Sequence, residues 1–290
     1  MMSVWLTMLK KDIRMLKNQW FGFMGAAIVV TGAVLAAHSL GILNADRTAV
    51  IIGLILTGSL VVVFPAQVFK GMNKEVKGAA ALWLQTPQSG WAMFGSKLVS
   101  SLIGSLLYFI VSYGLALALF HSVNFAHVLP PIHYQTHIHG GGFTSTTNGA
   151  PTNLSPAVLS VLATQIPRLE FFAMAFLLCA GIYLALWIAL IHMSVRAVKN
   201  QLKHFSWVVG LGIVLIATWG VGGLKSTALY AQAFGWGRVA LLRLFPPHVR
   251  ALLGGYWPES IFMGHFVFDI IVVLLLFAVT GLLIDRYVEV

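Results

Sequence analysis

Six apolar stretches, each long enough to cross a bilayer, constrain this chain more than any other feature. A spanning helix needs about 20 apolar residues at a rise of 1.5 Å each. The hydropathy pattern predicts spans over 20–42, 48–69, 98–120, 169–192, 206–224 and 261–284. The longest gap, 121–168, is too short to hold a separate water-soluble catalytic domain. Only 9% of the 290 residues are charged and 59% are hydrophobic. A soluble domain usually carries about a quarter charged residues, so this chain lacks the charge to cover a water-facing surface. The expected fold is all-α: a polytopic protein with one transmembrane domain over 1–290. The first span is too long for a cleaved signal peptide, and no small-residue cleavage site follows it. Cys179, the single cysteine, falls within the fourth span, which excludes an intramolecular disulfide and a cysteine-based metal cluster.

The formal net charge is +10, and its distribution reads as topology. Lys and Arg concentrate in cytoplasmic loops, where they orient the spans. One side of the alternating pattern carries Lys10, Lys11, Arg14, Lys17, Lys70, Lys74, Lys77, Lys97, Arg196, Lys199, Lys203 and Arg286. The other carries Arg47, Arg168, Lys225, Arg238, Arg243 and Arg250. Twelve against six predicts that both termini are cytoplasmic, and the expected location is a bacterial plasma membrane. No basic stretch is interleaved with stacking aromatics on a soluble face, so nucleic acid is not an expected partner.

Residues 1–19 are expected to form an amphipathic interfacial helix. Trp5, Leu9, Ile13 and Leu16 recur at helical spacing, with Lys10, Lys11, Arg14 and Lys17 on the other face. Such a helix lies among headgroups with its cations toward anionic lipid. The short turn Asn44-Ala45-Asp46-Arg47 makes spans one and two an antiparallel hairpin, and Pro65 is positioned to kink span two. Gly22, Gly25, Gly32, Gly53, Gly58, Ser101, Gly104 and Ser105 fit close helix packing in lipid. Residues 121–168 read as an irregular outer loop rich in histidine. Residues 225–260 read as a broken, re-entrant outer segment, with apolar pieces at Ala228–Phe234, Val239–Phe245 and His248–Leu253 expected as short helices that dip into the outer leaflet or cap the bundle without spanning it.

The loop between spans two and three is the most informative hydrophilic stretch. Asn73 is expected to cap a helix that begins there, with Glu75 suiting its positive start. Ala79–Leu84 continues that helix, and Thr86-Pro87 stops it. Ser89 can cap the next helix, which runs through Lys97 into span three. The product is a short cytoplasmic helix presenting Leu82, Trp83 and Leu84, an apolar face beside charges that needs a partner.

The order Glu75, Gly78, Leu82, Thr86-Pro87, Ser89 and the later Lys97 resembles the signature of permease subunits of ABC-2 type (type V) ABC transporters. The architecture is similar as well: an amphipathic amino-terminal helix, six spans and a broken outer segment between spans five and six. The resemblance implies that residues 73–89 contain a coupling helix, with Glu75, Gly78, Leu82, Trp83, Leu84, Thr86, Pro87 and Ser89 contacting an ATPase subunit. It implies two copies of that ATPase, which would bind ATP and Mg, and a second permease, either this chain again or a paralogous sister. It implies export. The run Ser89-Gly90-Trp91-Ala92 lacks the charged residues often seen there, and the 121–168 loop is long, so the substrate class is not implied.

The chain itself is not expected to be an enzyme or to hold a cofactor. The nearest match to a phosphate-binding loop, Gly220-Val-Gly-Gly-Leu224-Lys225-Ser226, has leucine where the last glycine must be. His133, His137 and His139 have a spacing that could converge on Zn²⁺ or Cu²⁺, without an acidic residue or cysteine nearby. A metal-dependent membrane enzyme built on them is one alternative, and an ion-coupled secondary transporter is another. Asp269 is the sharpest intramembrane charge. It is expected either to line a substrate path or to pair with a cation from the outer segment, such as Arg238 or Arg243. Glu170, with Arg168 at the outer mouth of span four, is expected at the interface.

Overall fold

The computed structural model describes residues 2–42, 45–78, 89–123, 156–202, 206–240, 243 and 260–288. These residues form seven helices and one two-stranded ladder. The helices are α1 (Met2–Ser39), α2 (Ala45–Gly78), α3 (Gly90–Ser122), α4 (Pro156–Leu202), α5 (Ser206–Lys225), α6 (Ala228–Phe234) and α7 (Met263–Val288). All but α6 contain a stretch long and apolar enough to cross a membrane. The chain is a multi-pass membrane protein.

Its helices run longer than the apolar stretches alone indicate. The amphipathic lead-in is not a separate element: α1 continues unbroken from Met2 to Ser39. Nothing between Lys17 and Phe21 can stop a helix, since neither proline nor glycine occurs there. Helix α2 likewise passes through Pro65 without a break and ends only at Gly78. Asn73 therefore lies in the body of a helix rather than at its start, and Glu75 falls in its last turns. A long preceding helix already supplies hydrogen-bond partners for the backbone N–H groups of these residues, so no cap is needed.

Helices α1 and α3 run in the same direction. Asp12 meets Ser96 and Lys97, and eight residues on along each helix Trp20 meets Gly104. Helices α2 and α4 also run together, from Thr57 and Glu170 at one end to Asn73 and Arg196 at the other. Helix α7 crosses α3 in the opposite sense, and Phe277 stacks on Phe94 with centroids 5.4 Å apart. The starts of α1, α3 and α5 therefore share a face with the ends of α2, α4 and α7.

Two apolar cores hold the bundle. One joins Phe64, Val68, Met72, Phe94, Leu186, Met193 and Leu276. The other joins Leu56, Leu60, Tyr108, Leu119 and Met174. Small residues permit several close approaches. A methyl group at Gly104 would overlap the Trp20 indole, and one at Gly53 would lie 2.8 Å from the Phe120 ring. A Cβ at Gly181 would lie 3.0 Å from the Leu60 carbonyl oxygen, so α4 packs directly on the α2 backbone. Packing among the described residues does not account for Gly22, Gly25, Gly32 and Gly58, whose added Cβ would meet none of them within 4 Å.

Helix α5 is the most peripheral span and contains a π-helical turn, Ile216–Gly220. The Thr218 hydroxyl donates to the Val214 carbonyl at 2.8 Å in this stretch. Beyond it, Ala228–Phe234 is helical as expected. Val239 is not the start of another short helix: Arg238 and Val239 pair in antiparallel register with Phe262 and Ile261. The β-branched pair Val239–Ile261 suits a ladder, and Gly237 supplies the left-handed turn before it at φ 69°.

Candidate functional site

The segment between α2 and α3 singled out by its sequence is bracketed by two anchored helix ends. On the α2 side, Asn73 accepts a hydrogen bond from the Arg196 guanidinium at 3.1 Å, which ties the end of α2 to α4. On the α3 side, Ser89 caps the helix as its sequence indicates. It sits in extended geometry at φ −64° and ψ 140°, and its hydroxyl accepts from the Ala92 N–H. The Gly90 N–H donates to the Asp285 carboxylate near the end of α7. This acceptor satisfies one of the free donors of a helix start and places negative charge at its positive end.

Glycines allow that junction. A Cβ on Gly90 would lie 2.7 Å from the Gly281 carbonyl oxygen and 2.8 Å from the Asp285 nitrogen. A Cβ on Gly281 would lie 2.9 Å from the Trp91 ring. Trp91 packs edge-on against Phe277, centroid to centroid at 5.4 Å.

Two turns further along α3, Lys97 is not a cytoplasmic loop cation. Its ammonium lies 3.3 Å from Asp12, and the two side chains are 5% and 3% exposed. Ser96 donates to the other Asp12 oxygen at 2.6 Å. Burial of both ions is tolerable because each has an opposite charge and the carboxylate has a further donor. The same helix buries Ser100 and Ser112, whose hydroxyls donate to carbonyls of the preceding turn. Back-bonding of this kind lets serine sit inside a bundle in lipid.

Of the residues assigned to a partner contact, Leu82, Trp83, Leu84, Thr86 and Pro87 lie outside the described residues. Glu75 and Gly78 are placed within α2, and only their helical backbone is described. His133, His137 and His139 also lie outside the described residues. Among the described residues, no group of three or more His, Cys, Asp or Glu side chains converges.

Asp269 pairs with a cation of the 225–260 segment, as its sequence position suggests. The cation is Lys225, at 2.6 Å, rather than Arg238 or Arg243. Asp269 is the seventh residue of α7 rather than a mid-helix charge, and 42% of its side chain is exposed. Lys225 ends α5, and its ammonium sits 5.4 Å from the Phe268 ring centroid. Aromatic rings gather behind it: Tyr230 contacts Phe234, His265 and Phe268 at 5.0–5.3 Å between centroids. Burial raises the Tyr230 phenol above its ordinary range, with Lys225 lowering it and Asp269 raising it by smaller amounts.

Glu170 is buried between helices. It is 7% exposed, between α2 and α4, and the Thr57 hydroxyl bonds to it. The spacing of α2 carried no signal for this contact, because it joins residues 113 positions apart. Asp12 was equally silent in the sequence, as one acid among four cations in an amphipathic pattern.

The fold and these sites define a membrane protein with six helices long and apolar enough to span, and an anchored joint between the second and third. Compared with family models, curated proteins and solved structures, the chain matches none.

Proposed function

We propose that this chain is the permease subunit of an ATP-driven ABC exporter, coupled to a separate ATPase subunit through residues 73–89. The observation that carries the proposal is the bracketing of that segment. Its α2 end is tied to α4 by Asn73–Arg196. Its α3 end is tied to α7 by Gly90–Asp285 and to α1 by Lys97–Asp12. A force applied between them therefore reaches α1, α2, α3, α4 and α7 through direct bonds. A transport subunit driven from the cytoplasmic side needs such a linkage, because rigid elements with two arrangements carry coupling between distant sites.

In this reading the two ATPase subunits bind ATP and Mg, close on one another and push on the apolar face of Leu82, Trp83 and Leu84. The permease functions as a pair, with itself or with a sister chain. Its pairing surface would draw on the open glycines of α1 and on α5. Both termini lie in the cytoplasm of a bacterial cell. The substrate passes between the two permeases, and Lys225–Asp269 stands at its outer exit.

The test is affinity purification of the tagged chain from its native membrane in mild detergent, followed by an ATPase assay. The expected result is co-purification of a nucleotide-binding subunit, lost in Leu82→Glu/Trp83→Glu. A chain that purifies alone, or with partners lacking ATPase activity, refutes the proposal.

A further inference from the structure

Five carboxyl side chains are described, and four of them have a cation or a backbone N–H. Asp12 has Lys97, Asp46 lies 3.4 Å from His38, and Asp269 has Lys225. Asp285 accepts from the Gly90 N–H. Glu170 differs. Among the described residues its hydrogen-bond partner is the Thr57 hydroxyl, and no cation lies within 4.0 Å.

The charged and titratable groups on the elements packed against α4 are engaged elsewhere or distant in sequence. Arg168, two residues before Glu170, is exposed and about 200° around the helix. Tyr113 of α3 donates to the Pro167 carbonyl at 3.1 Å. Asp46 and Arg47 stand at the start of α2, ten or more residues before Thr57. Lys97 is held by Asp12, Lys225 of α5 by Asp269 of α7, and His265 packs on Tyr230. Asp285 and Arg286 lie at the far end of α7.

Hydrogen counting favours the acid form of Glu170. Thr57 has one hydroxyl hydrogen and faces two acceptors, Glu170 Oε1 and the Gly53 carbonyl at 2.9 Å. A carboxylate would compete for that single hydrogen and would stand in a buried site with no other donor among the described residues. A carboxylic acid removes the conflict. Its O–H donates to the Thr57 oxygen, and Thr57 donates to Gly53.

We propose that Glu170 is a proton-binding site, held as a carboxylic acid between α2 and α4, and that release of its proton requires those helices to part. On release, the O–H bond breaks, its electron pair stays on the carboxylate, and the proton passes to water admitted between the helices. This ligand is a proton and does not depend on the identity of the transported substrate.

The experiment is infrared spectroscopy of the full chain in phosphatidylcholine vesicles at neutral pH, in H₂O and in D₂O. The expected result is a carboxylic-acid C=O band that shifts in D₂O and is missing in Glu170→Gln. Thr57→Val moves the band to higher frequency by removing its acceptor. Identical acid-region spectra for wild type and Glu170→Gln overturn the proposal. Should Glu170→Gln not fold, wild type labelled with ¹³C-glutamate serves: a label-sensitive acid band supports the site, and its absence at neutral pH overturns it. Raising the pH to alkaline values is expected to lower the melting temperature of wild type more than that of Glu170→Gln. Equal falls overturn the link between proton release and helix separation.

Discussion

Replacing Lys97 by methionine tests the buried pair that ties α1 to α3. Unit charges 3.3 Å apart attract by about 5 kcal/mol at an effective dielectric near 20. Desolvation of two ions, each at most 5% exposed, offsets part of this attraction. The remaining coupling is expected at about 1.5–3 kcal/mol, within the range found for contacting residues. Lys97→Met alone should cost more, about 3–5 kcal/mol, because it strands Asp12 as a buried unpaired charge. Asp12→Leu/Lys97→Met should recover to within about 1 kcal/mol of wild type, since an apolar pair of similar volume needs no charge compensation. The assay is a double-mutant cycle read by SDS-induced unfolding in mixed micelles, followed by tryptophan fluorescence. A coupling energy below about 0.5 kcal/mol would show that the pair is solvated and would refute the reasoning.

Four further outcomes are expected. Ser96→Ala, which removes a charge-assisted bond to Asp12, should cost about 1.5–3 kcal/mol in the same assay. Gly90→Ala should destabilise by about 1–3 kcal/mol, and Asp285→Asn by less, because the first forces backbone against backbone at the α3–α7 crossing; equal effects would argue against a steric cause. Asp269→Asn should change stability by at most about 1 kcal/mol, as its pair with Lys225 is more than a third exposed; a large loss of folded protein would contradict this. Cys179 is exposed on a span, so in intact vesicles it should react with a lipid-soluble maleimide and not with a charged one.

The bracketed joint explains why a loosely constrained motif can have a definite mechanical context. Ser89 was legible as a cap because serine before a long apolar run satisfies a helix start. Asn73 was misread for a related reason. Cap residues in the interior of a helix look the same in sequence, and only the continuous ladder of α2 shows that no start occurs there. The acid Asp285 gave no local signal, because its partner, the Gly90 N–H, is 195 residues away.

The sequence alone determined the solvent of this protein and the number of its crossings. Apolar length is a local property, and lipid requires each span to satisfy its own backbone. It also located the break around the short helix Ala228–Phe234. Charge counting treated Lys97 and Lys225 as loop cations, yet one is buried against Asp12 and the other is bound to Asp269. Those pairings, the buried Glu170–Thr57 contact and the Gly90–Asp285 tie were decided only by tertiary structure. Each joins residues on different helices, and helical periodicity sets which side chains share a face without setting which helix that face will meet.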